Sequence, residues 1–167
     1  FKWALQCDMV VSSGGVSVGD YDLVKTSLEK MGQEMLFWKV AMKPGKPLAF
    51  GRIDDVPIFG LPGNPVSSFV SFEQFVRPSI RKMMGATQLN HKSVQAKLTR
   101  TVHKKAGRQH FLSAYVNWED GECTVRPTQE QGSGILKSTV NANGLLIFPL
   151  ELTEMTEGTE VTVQLLY

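Results

Sequence analysis

Three short loops hold most of the groups in this chain that could do chemistry. They read Ser12-Ser13-Gly14-Gly15-Val16-Ser17-Val18-Gly19-Asp20-Tyr21-Asp22, Lys43-Pro44-Gly45-Lys46-Pro47, and Gly60-Leu61-Pro62-Gly63-Asn64-Pro65-Val66-Ser67. Each follows a short apolar run. Glycine lets a backbone approach a ligand closely, with its N–H free to point at it. Helix N-termini favour negative charge, and lysines add mobile cationic donors. That combination suits an anionic, phosphorylated small molecule. The candidate binding residues are Ser13, Gly14, Gly15, Ser17 and Gly19, then Lys46 and Pro47, then Pro62, Gly63, Asn64 and Ser67.

Individual residues keep more than one reading. Asp22 falls in the first turn of an expected helix, where the dipole stabilises a carboxylate. It could instead face the ligand and hold Mg²⁺ against a phosphate. Lys43 and Lys46 lie three apart across Pro-Gly, and such a rigid turn can aim two ammonium groups at one anion. Lys39 lies in an apolar run, where a buried lysine is costly without a partner; it either points to solvent or serves an anion. The first loop fits neither the P-loop nor the dinucleotide glycine pattern. No Ser/His/Asp or Cys/His arrangement suggests covalent hydrolysis. His91, His103 and His110 read as surface or packing residues, and Cys7 and Cys123 have no metal-type spacing.

The elements that must position these loops alternate. Residues 8–11 read as a buried strand, 21–31 as a helix stopped by Gly32, and 35–42 as a strand. Two more strands follow at 48–50 and 56–59, with Asp54-Asp55 as the turn and Pro57 implying an edge strand or a first position. Asn64 suits an N-cap and Pro65 suits N1 of a helix running to about Met84 and ended by Gly85. Pro78 predicts a kink or two abutting helices. Val66, Phe69, Val70, Phe72, Phe75 and Val76 form its core stripe. Strand, glycine loop and helix in alternation predict a partial α/β domain with a mostly parallel sheet, over residues 1–88. From 89 to 167 the chain reads as a small all-β, barrel-like domain. Its strands are expected at 94–102, 110–118, 123–127, 145–149 and 160–167, with a flexible loop at 131–134 and a possible helical turn at 135–138. Turn signals stand at 119–121, 143–144 and 157–158.

Composition is that of an ordinary globular protein: 167 residues, 42% hydrophobic and 20% charged, with a net charge of +2. That balance makes no case for nucleic acid. No apolar run approaches the ~20 residues of a membrane span, and two isolated cysteines fit a reducing, cytoplasmic setting. The start at Phe1, just before an apolar strand, reads as a fragment.

These stretches together closely resemble the MoeA family of molybdopterin molybdenumtransferases, which includes the E domain of gephyrin. The matching residues are 12–22, 39–47 and 60–67, with Gln131-Gly132-Ser133 and Asn143-Gly144-Leu145-Leu146 further on. The resemblance covers nearly the whole chain and implies the end of a MogA-like molybdopterin-binding domain followed by the family's C-terminal β-domain. It implies insertion of molybdate into adenylyl-molybdopterin with release of AMP, assisted by Mg²⁺, in a homodimer. A MogA-like adenylyltransferase is the implied partner. By position, Asp22 matches the aspartate near metal and pyrophosphate, and Lys39 and Lys43 match cleft lysines. Lys43, Lys46, Pro47, Ser67 and Ser133 match positions that hold molybdate or the anionic substrate.

The chain departs from the family in two ways. Ser113 stands where the family usually has arginine, so a planar two-pronged anion donor is missing there. The family's first two domains are also absent, which implies that the isolated chain does not catalyse the reaction. The alternatives are a non-catalytic pterin-binding or partner-docking module of the same fold, and a MoaB- or CinA-like enzyme. The β-domain and the 43–47 loop argue against the latter.

Overall fold

The structure, a computed structural model, describes residues 4–14, 34–128 and 142–166. The expected helix over 21–31, the 131–134 loop and the 135–138 turn lie outside the described residues. The chain divides into two units. The first comprises Phe1–Val40 and Gly45–Gly85, the second Ala41–Pro44 and Ala86–Tyr167.

After a single 3₁₀ turn at Ala4–Gln6 come β1 (Val10–Ser13), β2 (Glu34–Trp38), β3 (Met42–Lys43), β4 (Ala49–Ile53) and β5 (Val56–Leu61). Strand β3 belongs to the second unit; the other four make one sheet in the order β1-β5-β4-β2. Among the described strands of this sheet only β1 and β5 pair in parallel, from Val10 opposite Ile58 to Ser13 opposite Leu61. The β4–β5 and β2–β4 pairings are antiparallel. The described sheet is therefore mixed rather than mostly parallel. The reason is local. Asp54-Asp55 joins β4 directly to β5, and a two-residue connection can only make a hairpin. Asp54 takes the left-handed conformation that such turns need, with φ 51°.

Two other strand expectations change. Pro57 lies in an interior strand, not at an edge. It is tolerated because β1 pairing begins only at Ile58, so no neighbour on that side asks for its missing N–H. The strand expected over 35–42 ends at Trp38, because Lys39 turns the backbone to φ 70°.

The helical stretch opens at α1 (Pro65–Ser71), widens into a π turn at Phe72–Val76, and continues as α2 (Arg77–Met83). Proline at 78 has no N–H to give and would crowd the carbonyl four residues back. A wider turn just ahead of it accommodates that conflict. The Ser79 hydroxyl donates to the Phe75 carbonyl at 2.8 Å, satisfying one carbonyl of that turn. Gly85 ends the stretch at φ 77°. Val66, Val70 and Val76 are buried, and Phe72 and Phe75 pack on Leu48, Phe59 and Leu61.

In the second unit β6 (Ser93–Leu98), β7 (Val102–His103), β8 (Gln109–Glu119), β9 (Glu122–Pro127), β10 (Gly144–Phe148), β11 (Glu154–Met155) and β12 (Glu160–Leu165) follow. Five of them close on themselves in the order β8-β10-β12-β6-β9, with β9 returning to β8. Strand β3 adds to β8 in parallel, and β7 pairs with β11. The inside is one apolar cluster that includes Leu98, Val125, Leu146, Phe148 and Val163. Along β12, buried Val161 and Val163 alternate with more exposed neighbours, the period of a half-buried strand.

Asn143-Gly144, expected as a turn, does something else. The Asn143 side chain receives the Val116 N–H at 2.7 Å and donates to the Val116 carbonyl at 2.9 Å. It thus imitates a strand partner where β10 has yet to start. Gly144 then lies so close to its neighbours that a Cβ would stand 2.8 Å from Val163 and 2.9 Å from Val116.

Candidate functional site

The carboxyl ends of parallel strands are where α/β sheets place ligands, because the loops there open outward with free N–H groups. Strands β1 and β5 end side by side, and the first and third loops leave from those ends. The Gly14 N–H donates to the Leu61 carbonyl at 3.2 Å, extending the ladder by one step. Gly14 turns away at φ 88°, open to glycine and strained for other residues. Gly63 comes so near that a Cβ on it would meet the Gly14 Cα at 3.3 Å. Gly14 is favoured by its backbone angle, and a side chain at Gly63 would push on the Gly14 backbone by a few tenths of an ångström.

The third loop hands over directly to α1. The Asn64 side chain accepts the Ser67 N–H at 3.3 Å, the N-cap expected from sequence, with Pro65 in the first turn. Ser13 and Ser68 hydroxyls stand 3.2 Å apart and tie the end of β1 to the first turn of α1. Ser68 is the residue that the sequence reading missed. No local signal marked it, because its partner Ser13 lies 55 positions away in sequence. The structure thus gathers Ser13, Gly14, Pro62, Gly63, Asn64 and Ser67 at one end of the first unit's sheet. Pro62 and Ser67 are buried, Asn64 is partly buried, and Gly63 is exposed.

The lysines are placed differently. Lys39 is exposed and its ammonium lies 3.8 Å above the Trp38 ring, which resolves the cost of a lysine in an apolar run. Backbone bonds from Lys39 N–H to Leu48 and from Val40 N–H to Lys46 (3.0 and 2.9 Å) staple the segment shut in the first unit. Between those staples the chain passes into the second unit, where Lys43 stands on β3 opposite His110 of β8. Lys46 and Pro47 return to the first unit, with Lys46 exposed.

His110 is a packing residue, 8% exposed, with its ring 6.4 Å from Phe148 in edge contact. Burial, with Lys43, Lys104 and Arg108 nearby, lowers its pKa from 6.5 to about 4, so it is neutral at pH 7. The Lys104 ammonium lies 4.9 Å over the Phe148 ring and donates to the Leu150 carbonyl at 3.2 Å.

Gly15, Ser17, Gly19, Asp22 and Ser133 lie outside the described residues. Among the described residues, no group of three or more His, Cys, Asp or Glu side chains could hold a metal ion.

Comparison with known proteins settles the kinship. Residues 1–82 match the family described as "Probable molybdopterin binding domain", and residues 95–166 match "MoeA C-terminal region (domain IV)". A molybdopterin molybdenumtransferase of Haemophilus influenzae is 42% identical over 164 residues, 95% of this chain and 40% of that protein. The chain belongs to the MoeA family of molybdopterin molybdenumtransferases. Gephyrin of Dictyostelium discoideum is 36% identical over 92% of this chain and 25% of its own length. The crystal structure of a molybdopterin biosynthesis MoeA protein from Pyrococcus horikoshii superposes with a TM-score of 0.72 at 31% identity, over 98% of this chain and 36% of that one. This MoeA-family chain spans about two fifths of the length of the Haemophilus relative. Ser113, the residue at which the resemblance led to an expected arginine, is buried on β8, opposite Leu145 of β10.

Proposed function

We propose that this chain forms part of an enzyme of molybdenum cofactor biosynthesis that inserts molybdate into adenylyl-molybdopterin and releases AMP. The observation that carries the reading is the meeting of the two glycine loops at the ends of β1 and β5, with Gly14 and Gly63 in near contact and the helix opening at Asn64. Such an end presents backbone donors and helix-terminal partial charge to a phosphorylated pterin. In this reading an oxygen nucleophile attacks a phosphorus of the pyrophosphate link, the bridging P–O bond breaks, and AMP leaves. Catalysis of that step needs cations more than a nucleophilic side chain.

The roles follow the resemblance by position. Lys39 and Lys43 counter charge on the pyrophosphate, and Lys46, Pro47, Ser67 and Ser133 receive molybdate. Asp22 is the metal ligand. Mg²⁺ is commonly held by one or two carboxylates together with substrate phosphates, so a single aspartate matches its needs and the described residues need supply no separate cage. When bound, Mg²⁺ would supply charge neutralisation at the phosphates. A cytoplasmic homodimer, fed by a MogA-like adenylyltransferase, completes the reading. Among the described residues no helix is long and apolar enough to cross a membrane.

Asp22→Asn tests the reading in the full-length protein. AMP release from adenylyl-molybdopterin on addition of molybdate should slow by a hundredfold or more, and unchanged turnover would reject the metal role. Ser113 favours a second reading, a binding module without catalysis, because a buried serine cannot make the two-pronged contact of an arginine. Equilibrium dialysis separates the two. Molybdate held by Ser113→Arg but not by the native protein supports a site that has lost catalysis.

A further inference from the structure

A cavity in the first unit, of about 510 Å³, lies by the start of β1 and the end of α2, and is lined by Cys7, Asp8, Met9, Ile80, Met83 and Met84. Its chemistry is unusual. The whole chain has seven methionines and two cysteines. Four of those nine sulfur side chains line this one cavity, and of the four Met9 also packs on the Leu48–Phe59–Leu61–Val76 cluster.

Two segments supply the sulfurs. Cys7 and Met9 come from the stretch between the 3₁₀ turn and β1, and Met83 and Met84 from the end of α2. Cys7 is exposed, with a free thiol. Met83 and Met84 are 50% and 80% exposed, against the usual habit of methionine to bury its thioether. Exposed thioethers gain little from water. They are unbranched with three rotatable bonds, so they can swing onto a common point. Asp8 is the one acidic group in the lining, and it sets a negative charge beside the sulfurs.

We infer that the Cys7–Met9–Met83–Met84 cavity is a binding site for a soft monovalent metal ion of the Cu(I) class. Thiolate and thioether donors select soft ions over hard ones. Neither Mg²⁺ nor Zn²⁺ is matched by one thiol and three thioethers, since magnesium wants oxygen and structural zinc wants thiolate or imidazole. Binding would draw the proton from the Cys7 thiol, so affinity should rise with pH. No part of the proposed molybdenum chemistry enters this inference.

The test is anaerobic competition of the whole chain against a chromophoric Cu(I) chelator, with Ag(I) as a redox-inert check. The native chain should withdraw one ion per chain from the chelator, and Cys7→Ser should weaken that hold at least tenfold. Met83→Leu combined with Met84→Leu should weaken it similarly, while Cys123→Ser should leave it unchanged. All of these side chains except that of Cys123 are exposed, so an unaltered melting temperature confirms that loss of metal is not loss of fold. If Cys7→Ser did melt early, the methionine pair would decide alone. Failure of the native chain to take Cu(I) from the chelator would overturn the inference. So would equal affinity in Cys7→Ser, or Zn²⁺ held as tightly as Cu(I).

Discussion

The two units of this chain solve the problem of a sheet in opposite ways. In the second, β8, β10, β12, β6 and β9 close into a ring, so every barrel strand has a neighbour on both sides. Its barrel interior is one large cluster, with Ala114, Val125, Leu146, Phe148 and Val163 fully shielded from water. In the first, the described sheet is open, ending in β1 on one side and β2 on the other. Its apolar residues fall into several smaller clusters, and Val11, Leu36, Phe37 and Trp38 remain exposed. Closure abolishes edges and concentrates burial. The open sheet gives up some of that burial and gains strand ends free to carry loops, which is where the candidate binding groups lie. Among the described candidate groups only Lys43 stands in the second unit, which holds the largest buried cluster; the others are carried by the first.

That contrast can be broken most directly at Phe148. Truncation to alanine removes a ring with no exposed surface at the centre of the barrel and should cost about 3–5 kcal/mol. The matching change in the open sheet, Phe37→Ala at a residue 37% exposed that touches the Phe50 and Phe75 rings, should cost less, about 1–2 kcal/mol. Urea unfolding of both variants reads the difference, and equal losses would erase the distinction.

The next effect sharpens it by pH. His110 has a folded pKa of about 4 against an ordinary value of 6.5, so the folded state binds fewer protons than the unfolded state between those values. Its neutral form is favoured above pH 6.5, and stability therefore falls as pH drops from 6.5 toward 4. At roughly 1.4 kcal/mol per pKa unit, the loss at full protonation approaches roughly 3 kcal/mol. His110→Gln should flatten that part of the stability profile, measured as melting temperature against pH. The smallest expected effect concerns the loop end of the first unit. Asn64→Ala removes the cap on α1 and should cost about 1 kcal/mol. Hydrogen exchange should show it as opening of the first helical turn, with the barrel unaffected.

Much of this was legible from residue types. The Asn64 cap, the Pro65 start, the Gly85 stop and the Asp120-Gly121 hairpin rest on local rules, and local rules do not need the rest of the fold. The strand expected over 160–167 is found as β12, Glu160–Leu165. The candidate site was legible as a list of loops. The adjacency of the first and third was not, since it depends on β1 lying beside β5 across the intervening residues 14–55, and pairing partners are not encoded in any one window. Ser68 was missed on that account, because its partner Ser13 is 55 positions away. The passage of Lys43 into the second unit was missed likewise. Residues 35–42 carry one apolar pattern, while the backbone divides them between two sheets.

Residue order alone therefore decided the punctuation of this protein: where helices start and stop, which strand faces are apolar, and which loops carry glycine, lysine and hydroxyl groups. These follow from steric limits on φ and from hydrogen bonds that reach three or four residues. Tertiary structure decided which strands became neighbours, that the first sheet is mixed, that Gly14 and Gly63 nearly touch, and that four sulfurs line one cavity. The physical reason is that burial is shared among distant segments, so its optimum belongs to the packed chain and to no stretch of it.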